Sequence, residues 1–254
     1  MGGHTKVAFL TNALEYVGPA AILSLASDGW TIFCQDDSFS SWEKRDHFER
    51  ANPGHFAAEC SGSAEFIEEG LKRFGKIDCF ISNEIPKNIS YSMNIATLSE
   101  VNDLLLDAEA FIDSLLASPI RLLRSVVPAM KTVGGGSIIL ITSGAPLRSP
   151  AIRLPHGYLA GRAGANAMVK SLAVELAPLG IQVNAIAPFF IYSRNGFPEP
   201  LGADDPQVQA IVNSVVPAQR VGRWEEIAPL IRLLASGEAG FVSGQVIAFS
   251  GAGC

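Results

Sequence analysis

Positive charge is scarce in this chain: 19 Lys and Arg stand against 25 Asp and Glu over 254 residues, a formal net charge of −6. With a pI near 5.3 there is no basic footprint for a phosphate backbone, so no nucleic acid is expected as a partner. Cysteine is scarce too. Cys34, Cys60, Cys79 and Cys254 lie far apart with no CxxC or Cys/His spacing, and neither a disulfide framework nor a zinc site is expected. Cys34 and Cys79 fall in apolar runs and read as reduced core residues. His4, His47, His55 and His156 show no metal-ligand spacing, so no metal is expected. No apolar run approaches the roughly 20 residues of a membrane helix. No apolar stretch precedes the first strand-like run, as a signal peptide would, and MGGHTK has Lys6 where myristoylation needs Ser or Thr. The expectation is a cytoplasmic protein with no membrane attachment.

What is present is alternation. Short apolar runs at 6–11, 31–35, 55–58, 77–82, 136–142, 181–187 and 245–249 predict strands. Helical patterns fill most of the gaps, at 18–28, 40–51, 62–74, 97–131, 157–178 and 224–236. Runs such as CFIS and SIILIT are apolar on both faces, as strands are when helices cover both sides of a parallel sheet. The predicted fold is α/β: a Rossmann-like, doubly wound parallel sheet of about seven strands with helices on both faces. No linker, repeat or low-complexity segment interrupts it, so 1–254 is expected to form a single domain. Residues 189–210, FFIYSRNGFPEPLGADDPQVQA, read as one long irregular stretch of the kind that forms binding loops.

In such sheets ligands bind beyond the carboxyl ends of the strands, near the switch point. The first of these ends, LTNALEYVGPA at 10–20, stands where a strand, a tight turn and a helix N-terminus make a phosphate cradle. Such a cradle needs glycines for close backbone approach, and only Gly18 remains, with Asn12 and Tyr16 in the turn. Asp36 and Asp37 end the second strand and read as a cap or hydrogen-bond anchor.

A second constellation follows SIILITSGAP. In HGYLAGRAGANAMVKSLAVEL, Tyr158 and Arg162 are four residues apart and share a helix face. Ser143 ends the preceding strand, from where it can face the same pocket. An ordinary phenol, with a pKa of about 10, is only about 0.3% ionised at pH 7.5. A guanidinium about 4 Å away at an effective dielectric of about 20 supplies up to about 4 kcal/mol, enough in principle to make a helix tyrosine a general base. The pair taken alone is equally consistent with chance packing on a helix face.

The whole chain resembles the short-chain dehydrogenase/reductase superfamily. TNALEYVG stands for its glycine turn, ISNE for its Asn-rich turn, and ITS with YLAGR for its Ser–Tyr–Lys set. VNAIAPF and RVGRWEEIAPLIRLLAS…VSGQVIAFSGAG match its later segments. The departures are systematic: two turn glycines are lost, at Asn12 and Tyr16, Arg162 replaces the lysine, Phe189 replaces the glycine after Pro188, and Leu115 stands at the usual helix Asn. Two more residues than usual separate Ser143 from Tyr158, and Ser149 in that loop is a poorer choice of serine. This pattern is similar to that of the halohydrin dehalogenases, a branch that uses Ser–Tyr–Arg and holds a halide where the relatives hold a nucleotide.

The resemblance implies a lyase without a cofactor that converts vicinal haloalcohols to epoxides, releasing halide and a proton, and opens epoxides with azide, cyanide or nitrite. It implies Ser143, Tyr158 and Arg162 as the catalytic set. Asn12 and Tyr16 of the rebuilt turn, Pro86, and Pro188, Phe189, Phe190 and Ile191 would line the substrate and halide pocket. Aromatic edges are electropositive and suit a large halide when backbone N–H groups point the same way; without the resemblance this cluster reads as lid packing. The superfamily pairs helices across subunits, and the long apolar-faced helices at 97–131 and 157–178 lead to an expected homotetramer. Two other readings remain open: an NAD(P)-dependent short-chain oxidoreductase with Arg162 for the lysine, and a non-catalytic binding protein of the same fold.

Overall fold

The computed structural model of the chain describes residues 5–59, 63–87, 107–148, 154–191 and 206–254. Seven parallel strands form one sheet: β1 (Val7–Leu10), β2 (Thr31–Cys34), β3 (Phe56–Ala57), β4 (Cys79–Ser82), β5 (Gly136–Ile141), β6 (Ile181–Pro188) and β7 (Val246–Phe249). Their order is β3-β2-β1-β4-β5-β6-β7, so the winding reverses between β1 and β4. The crevice above that reversal is where this architecture binds ligands.

Alternate residues of the strands feed two cores, as a sheet covered on both faces requires. Ile139 and Ile141 of β5 pack with α1 (Gly18–Ser27) and α8 (Trp224–Ser236), whereas Ile138 and Leu140 pack with α3 (Ser63–Phe74), α5 (Ser118–Thr132) and α6 (His156–Leu176). α2 (Trp42–Ala51) sends Phe48 into the first of these cores. Cys34 and Cys79 are buried and free; Cys60 lies outside the described residues, as do 97–106 of the longest expected helix. No helix among the described residues is long and apolar enough to cross a membrane.

Two features depart from the sequence expectation. Residues 206–210 are not irregular: they begin α7 (Pro206–Val215). Proline is favoured in the first helical turn, where its missing N–H costs nothing, and Val208 and Val212, one turn apart, are both buried. The expected helix over 97–131 is described from α4 (Ala108–Ile112), and between α4 and α5 it widens to a π-turn over Asp113–Ala117. The widening turns Leu115, 1% exposed, into an apolar cluster with Tyr158.

Helices α4–α5 and α6 approach closely because α6 is glycine-rich. A Cβ at Gly157 would meet the Ala108 Cα at 2.4 Å, and one at Gly161 would meet the Leu115 Cβ at 3.2 Å. This packing fixes the α6 face that carries Tyr158 and Arg162.

The N-terminus of α8 also bears on the site, since the Trp224 indole N–H donates to the Tyr16 carbonyl at 3.1 Å. That end is tied by Glu226, which accepts from both Arg220 guanidinium nitrogens (2.8 and 2.6 Å) and from the Arg223 N–H (3.0 Å). Those bonds hold the Glu226 carboxyl down at about 2. A carboxyl lowered on folding contributes stability above its unfolded value of about 4.3 and loses it as pH falls towards 2. Glu226→Gln should lower the melting temperature by about 1–3 °C at pH 7, a small effect because the pair is exposed. Thermal denaturation of both proteins should show the difference closing between pH 4.5 and pH 2.5; a gap unchanged across that window would remove the ion pair from the account.

Candidate active site

Three strand ends and one helix converge above the switch point. β4 and β5 remain paired as far as Ser82 opposite Leu140 and then part. Beyond that point the carbonyls of Glu84 and Ile141 have no strand between them, and Arg162 of α6 fills the gap. Its Nη1 donates to Ile141 O at 2.9 Å and its Nη2 to Glu84 O at 3.0 Å. The guanidinium is 2% exposed, and its Nε–H has no partner among the described residues.

Two tyrosines flank this charge, with the Tyr158 ring centroid 5.5 Å and the Tyr16 ring centroid 5.8 Å from the guanidinium carbon. They differ in their hydroxyls. Tyr16 donates to Thr142 O at 3.3 Å. Burial, with Tyr158 acting in the same sense and Arg162 opposing, pushes its ionisation well above the ordinary range, so it stays a neutral phenol. The Tyr158 hydroxyl has no hydrogen-bond partner among the described residues. Its ring packs edge-on to Phe111 at 6.0 Å, in a cluster that includes Leu115, Leu154, Val212 and Phe189.

Ser143 stands just past β5 and is 3% exposed. Its Oγ accepts from the Ala145 N–H at 3.1 Å, which leaves the hydroxyl proton to donate elsewhere. The structure thus places Ser143 at the strand end, and Tyr16, Tyr158 and Arg162 together. Ser149 lies outside the described residues.

The turn of residues 11–18 is rebuilt throughout. Asn12 and Tyr16 both adopt left-handed backbone (φ 46° and 49°), a conformation costly for a side chain as large as tyrosine. The N–H groups of residues 12–15, 17 and 18 all donate to the protein itself: to Gln35 Oε1, Gln35 O, Asp36 Oδ2, Asn12 O, Asn83 Oδ1 and Glu15 O. Asn83 ties the turn from the other side, its Nδ2 donating to Asn12 O and Glu15 O at 2.9 Å each. Asp36 is the anchor expected of it, and it also caps the 3-10 turn Asp37–Ser40.

These bonds leave the amides of residues 12–15, 17 and 18 engaged within the protein, and the Tyr16 ring lies beside Arg162. Asn12 is 2% exposed and donates its Nδ2 to Asn83 O at 3.1 Å, so it staples the turn.

On the far side, Phe189 and Phe190 stack edge to face at 4.8 Å, and Phe190 is again left-handed (φ 53°). Pro188 has no N–H, and the Phe189 N–H donates to Phe249 O at 3.0 Å, so any backbone donor to an anion from this segment comes from beyond Phe189. Ile191 packs into the core on the α1–α8 face, and Pro86 is half-buried after β4. His156, at the start of α6, is exposed. Among the described residues no cluster of His, Cys, Asp and Glu could hold a metal ion.

Sequence reasoning misses Glu84 as a group in its own right. It is 6% exposed, its Oε2 accepts from Ser118 Oγ at 3.1 Å, and its Oε1 has no partner among the described residues. Burial pushes the carboxyl up, opposed by the nearby Thr11 and Ser118 hydroxyls and the charges of Lys87 and Arg162. Nothing in ISNE distinguishes this glutamate from a surface one; only the fold buries it.

Comparison with known proteins places this geometry. Residues 58–251 match the family described as enoyl-(acyl carrier protein) reductase. A 3-oxoacyl-[acyl-carrier-protein] reductase from Thermotoga maritima is 29% identical over 97% of this chain and 96% of its own length. Among solved structures, one described as a dehalogenation enzyme superposes with a TM-score of 0.86 at 28% identity, covering 98% of both chains. A halohydrin dehalogenase bound to ethyl (2S)-oxiran-2-ylacetate superposes with a TM-score of 0.83, also at 28% identity, over 97% of this chain and 96% of that one.

The reductase relatives raise the question of a nicotinamide dinucleotide, and the residues at the turn do not fit one. A pyrophosphate needs backbone N–H groups to approach, and here six of them already have protein acceptors, one being the Asp36 carboxylate. Tyr16 fills the space beside Arg162, with its hydroxyl on Thr142 O.

Proposed function

The chain belongs to the enoyl-(acyl carrier protein) reductase family of the short-chain dehydrogenase/reductase superfamily, and from that premise we propose a member that keeps the catalytic tyrosine and has given up the dinucleotide. It is a lyase that converts vicinal haloalcohols to epoxides without a cofactor. Tyr158 takes the proton of the substrate hydroxyl, and Ser143 donates its own hydroxyl proton to the same oxygen. The resulting alkoxide attacks the neighbouring carbon as the carbon–halogen bond breaks, and the halide leaves with the bonding pair. Haloalcohol thus becomes epoxide, halide ion and a proton. In reverse, a small anion such as azide opens an epoxide.

One observation carries the reading: Tyr16 is wedged between Thr142 and Arg162 at the place where the reductase fold admits its cofactor. The halide would lie among apolar and aromatic side chains: the Tyr16 ring beside Arg162, and Tyr158, Phe189 and Phe190 in one apolar cluster; a weakly hydrated halide transfers into such surroundings at lower cost than a phosphate. Similarity to two dehalogenases over nearly the whole chain supports it. A homotetramer is part of the same reading, and Ile112 and Ile120 stand exposed on the helices that would pair.

The oxidoreductase names among the sequence relatives favour a second reading, an NAD(P)-dependent reductase with arginine for lysine. Bromide release from a vicinal bromo-alcohol, followed with and without NADH, separates the two. Turnover without NADH, and no saturable stabilisation of the fold by millimolar NADH or NADPH, is expected. Saturable stabilisation by either nucleotide, with no bromide released, would transfer the protein to the reductases.

A further inference from the structure

Asn166 is buried in the middle of α6, one turn beyond Arg162, and the mechanism above does not use it. It is 6% exposed; its Nδ2 donates to Ser143 O at 3.1 Å, and its Oδ1 has no partner among the described residues. Asparagine is a poor helix former, and a buried acceptor without a partner costs about 1–3 kcal/mol. For packing alone leucine would serve better here. The side chain therefore needs a reason other than stability, and its one bond goes to the backbone of the candidate catalytic serine.

That bond answers a gap in the sheet. Thr142 N–H donates to Ile186 O and Gly144 N–H to Pro188 O, both at 2.9 Å, so the residues on either side of Ser143 are registered on β6. Ser143 between them lies outside the ladder, and its buried carbonyl needs a donor. Asn166 supplies it. Ser143 is then held through its own carbonyl, through the N–H of Gly144 and through its Oγ, which accepts from Ala145. With the Oγ lone pair engaged from behind, the direction of the hydroxyl proton follows from where the backbone is held.

We infer that Asn166 is the positioning residue for Ser143: its amide fixes the Ser143 carbonyl and thereby aims the Ser143 hydroxyl at the substrate oxygen. This rests on the lyase reading for its catalytic consequence, but the positioning itself is a property of the fold. It makes Tyr158, Arg162 and Asn166 a single stripe of α6. Tyr158 acts on the substrate, and the other two take carbonyls that β5 leaves unpaired.

The test is a double-mutant cycle with a second readout independent of activity. Asn166→Leu removes the donor and the orphaned acceptor together, so the melting temperature should move by less than about 3 °C while kcat for bromide release falls about tenfold or more, with little change in KM. In a Ser143→Ala background, the same substitution should cost less than about twofold, because its target is already gone. Amide exchange at Ala145, bonded to Ser143 Oγ, should quicken about tenfold in Asn166→Leu. Asn166→Ala gives the same comparison if leucine is not accommodated. Wild-type kcat in the single variant, or losses that multiply in the double variant, would overturn the positioning role. If the wild-type protein releases no bromide, the lyase reading fails, and exchange at Ala145 alone decides: quickened exchange supports the inference, and unchanged exchange overturns it.

Discussion

Tyr158→Phe should leave a folded protein that releases no measurable halide. The two halves of that expectation come from the same atom. The Tyr158 hydroxyl has no hydrogen-bond partner among the described residues, so deleting it orphans no buried group, and the ring keeps its contact with Phe111. The melting temperature should therefore stay within about 2 °C of wild type, since removing a hydroxyl that breaks no bond and leaves the ring packed costs about half a kcal/mol or less. The chemistry, by contrast, loses the group proposed as its proton acceptor. A positioned general base contributes about 10²–10⁴ in rate, and kcat/KM should fall by at least about a thousandfold. The measurement pairs a halide-release assay with thermal denaturation. A variant that turns over within about tenfold of wild type would exclude Tyr158 as the base. One that unfolds would show that the hydroxyl has a structural role.

Most of the fold is legible in the sequence because its strands are buried on both faces. VAFL, CFIS and SIILI can sit nowhere but in a covered parallel sheet, and their observed bounds, Val7–Leu10, Cys79–Ser82 and Gly136–Ile141, differ little from the pattern. Helix α7 is not legible in the same way. The punctuation before it, GFPEPLGADD, reads as loop, and only Pro206 in the first turn and the pair Val208 and Val212 signal a helix. The site divides along the same line. Tyr158 and Arg162 are visible because i,i+4 spacing is a local property. The hydrogen bonds of the turn are not, since its amides are taken by Gln35, Asp36 and Asn83 from neighbouring strands. Loss of glycine in TNALEYVG announces that no phosphate approaches, but not what replaces it. Asn166 is invisible for a related reason: whether Ser143 O needs a donor depends on where β5 leaves the ladder.

Arg162→Met should silence the enzyme at little cost to the fold, and the comparison with Arg162→Lys shows why. The guanidinium makes two hydrogen bonds to carbonyls, worth about 1.5–3 kcal/mol each when one partner is charged. Against that stands the effective cost of burying an ion, several kcal/mol, with Nε–H unpartnered among the described residues and the Glu84 carboxyl, which feels its charge, itself raised by burial. These terms nearly cancel, so methionine, which fills the space without the charge, should change stability by less than about 2 kcal/mol. Activity has no such compensation. The guanidinium carbon stands 5.5 Å from the Tyr158 ring centroid, and removing a fixed charge placed beside the reacting groups typically costs about a hundredfold or more in kcat. Lysine keeps the charge but, as a point donor on a flexible stem, cannot hold Ile141 O and Glu84 O together. It should retain part of the turnover, between wild type and methionine. Halide release and chemical denaturation on the three proteins read both quantities. Equal activity in the methionine and lysine variants would mean that the charge itself does nothing for the reaction, whereas a methionine variant destabilised by more than about 4 kcal/mol would make Arg162 a structural plug between β4 and β5 first and an electrostatic partner of Tyr158 second.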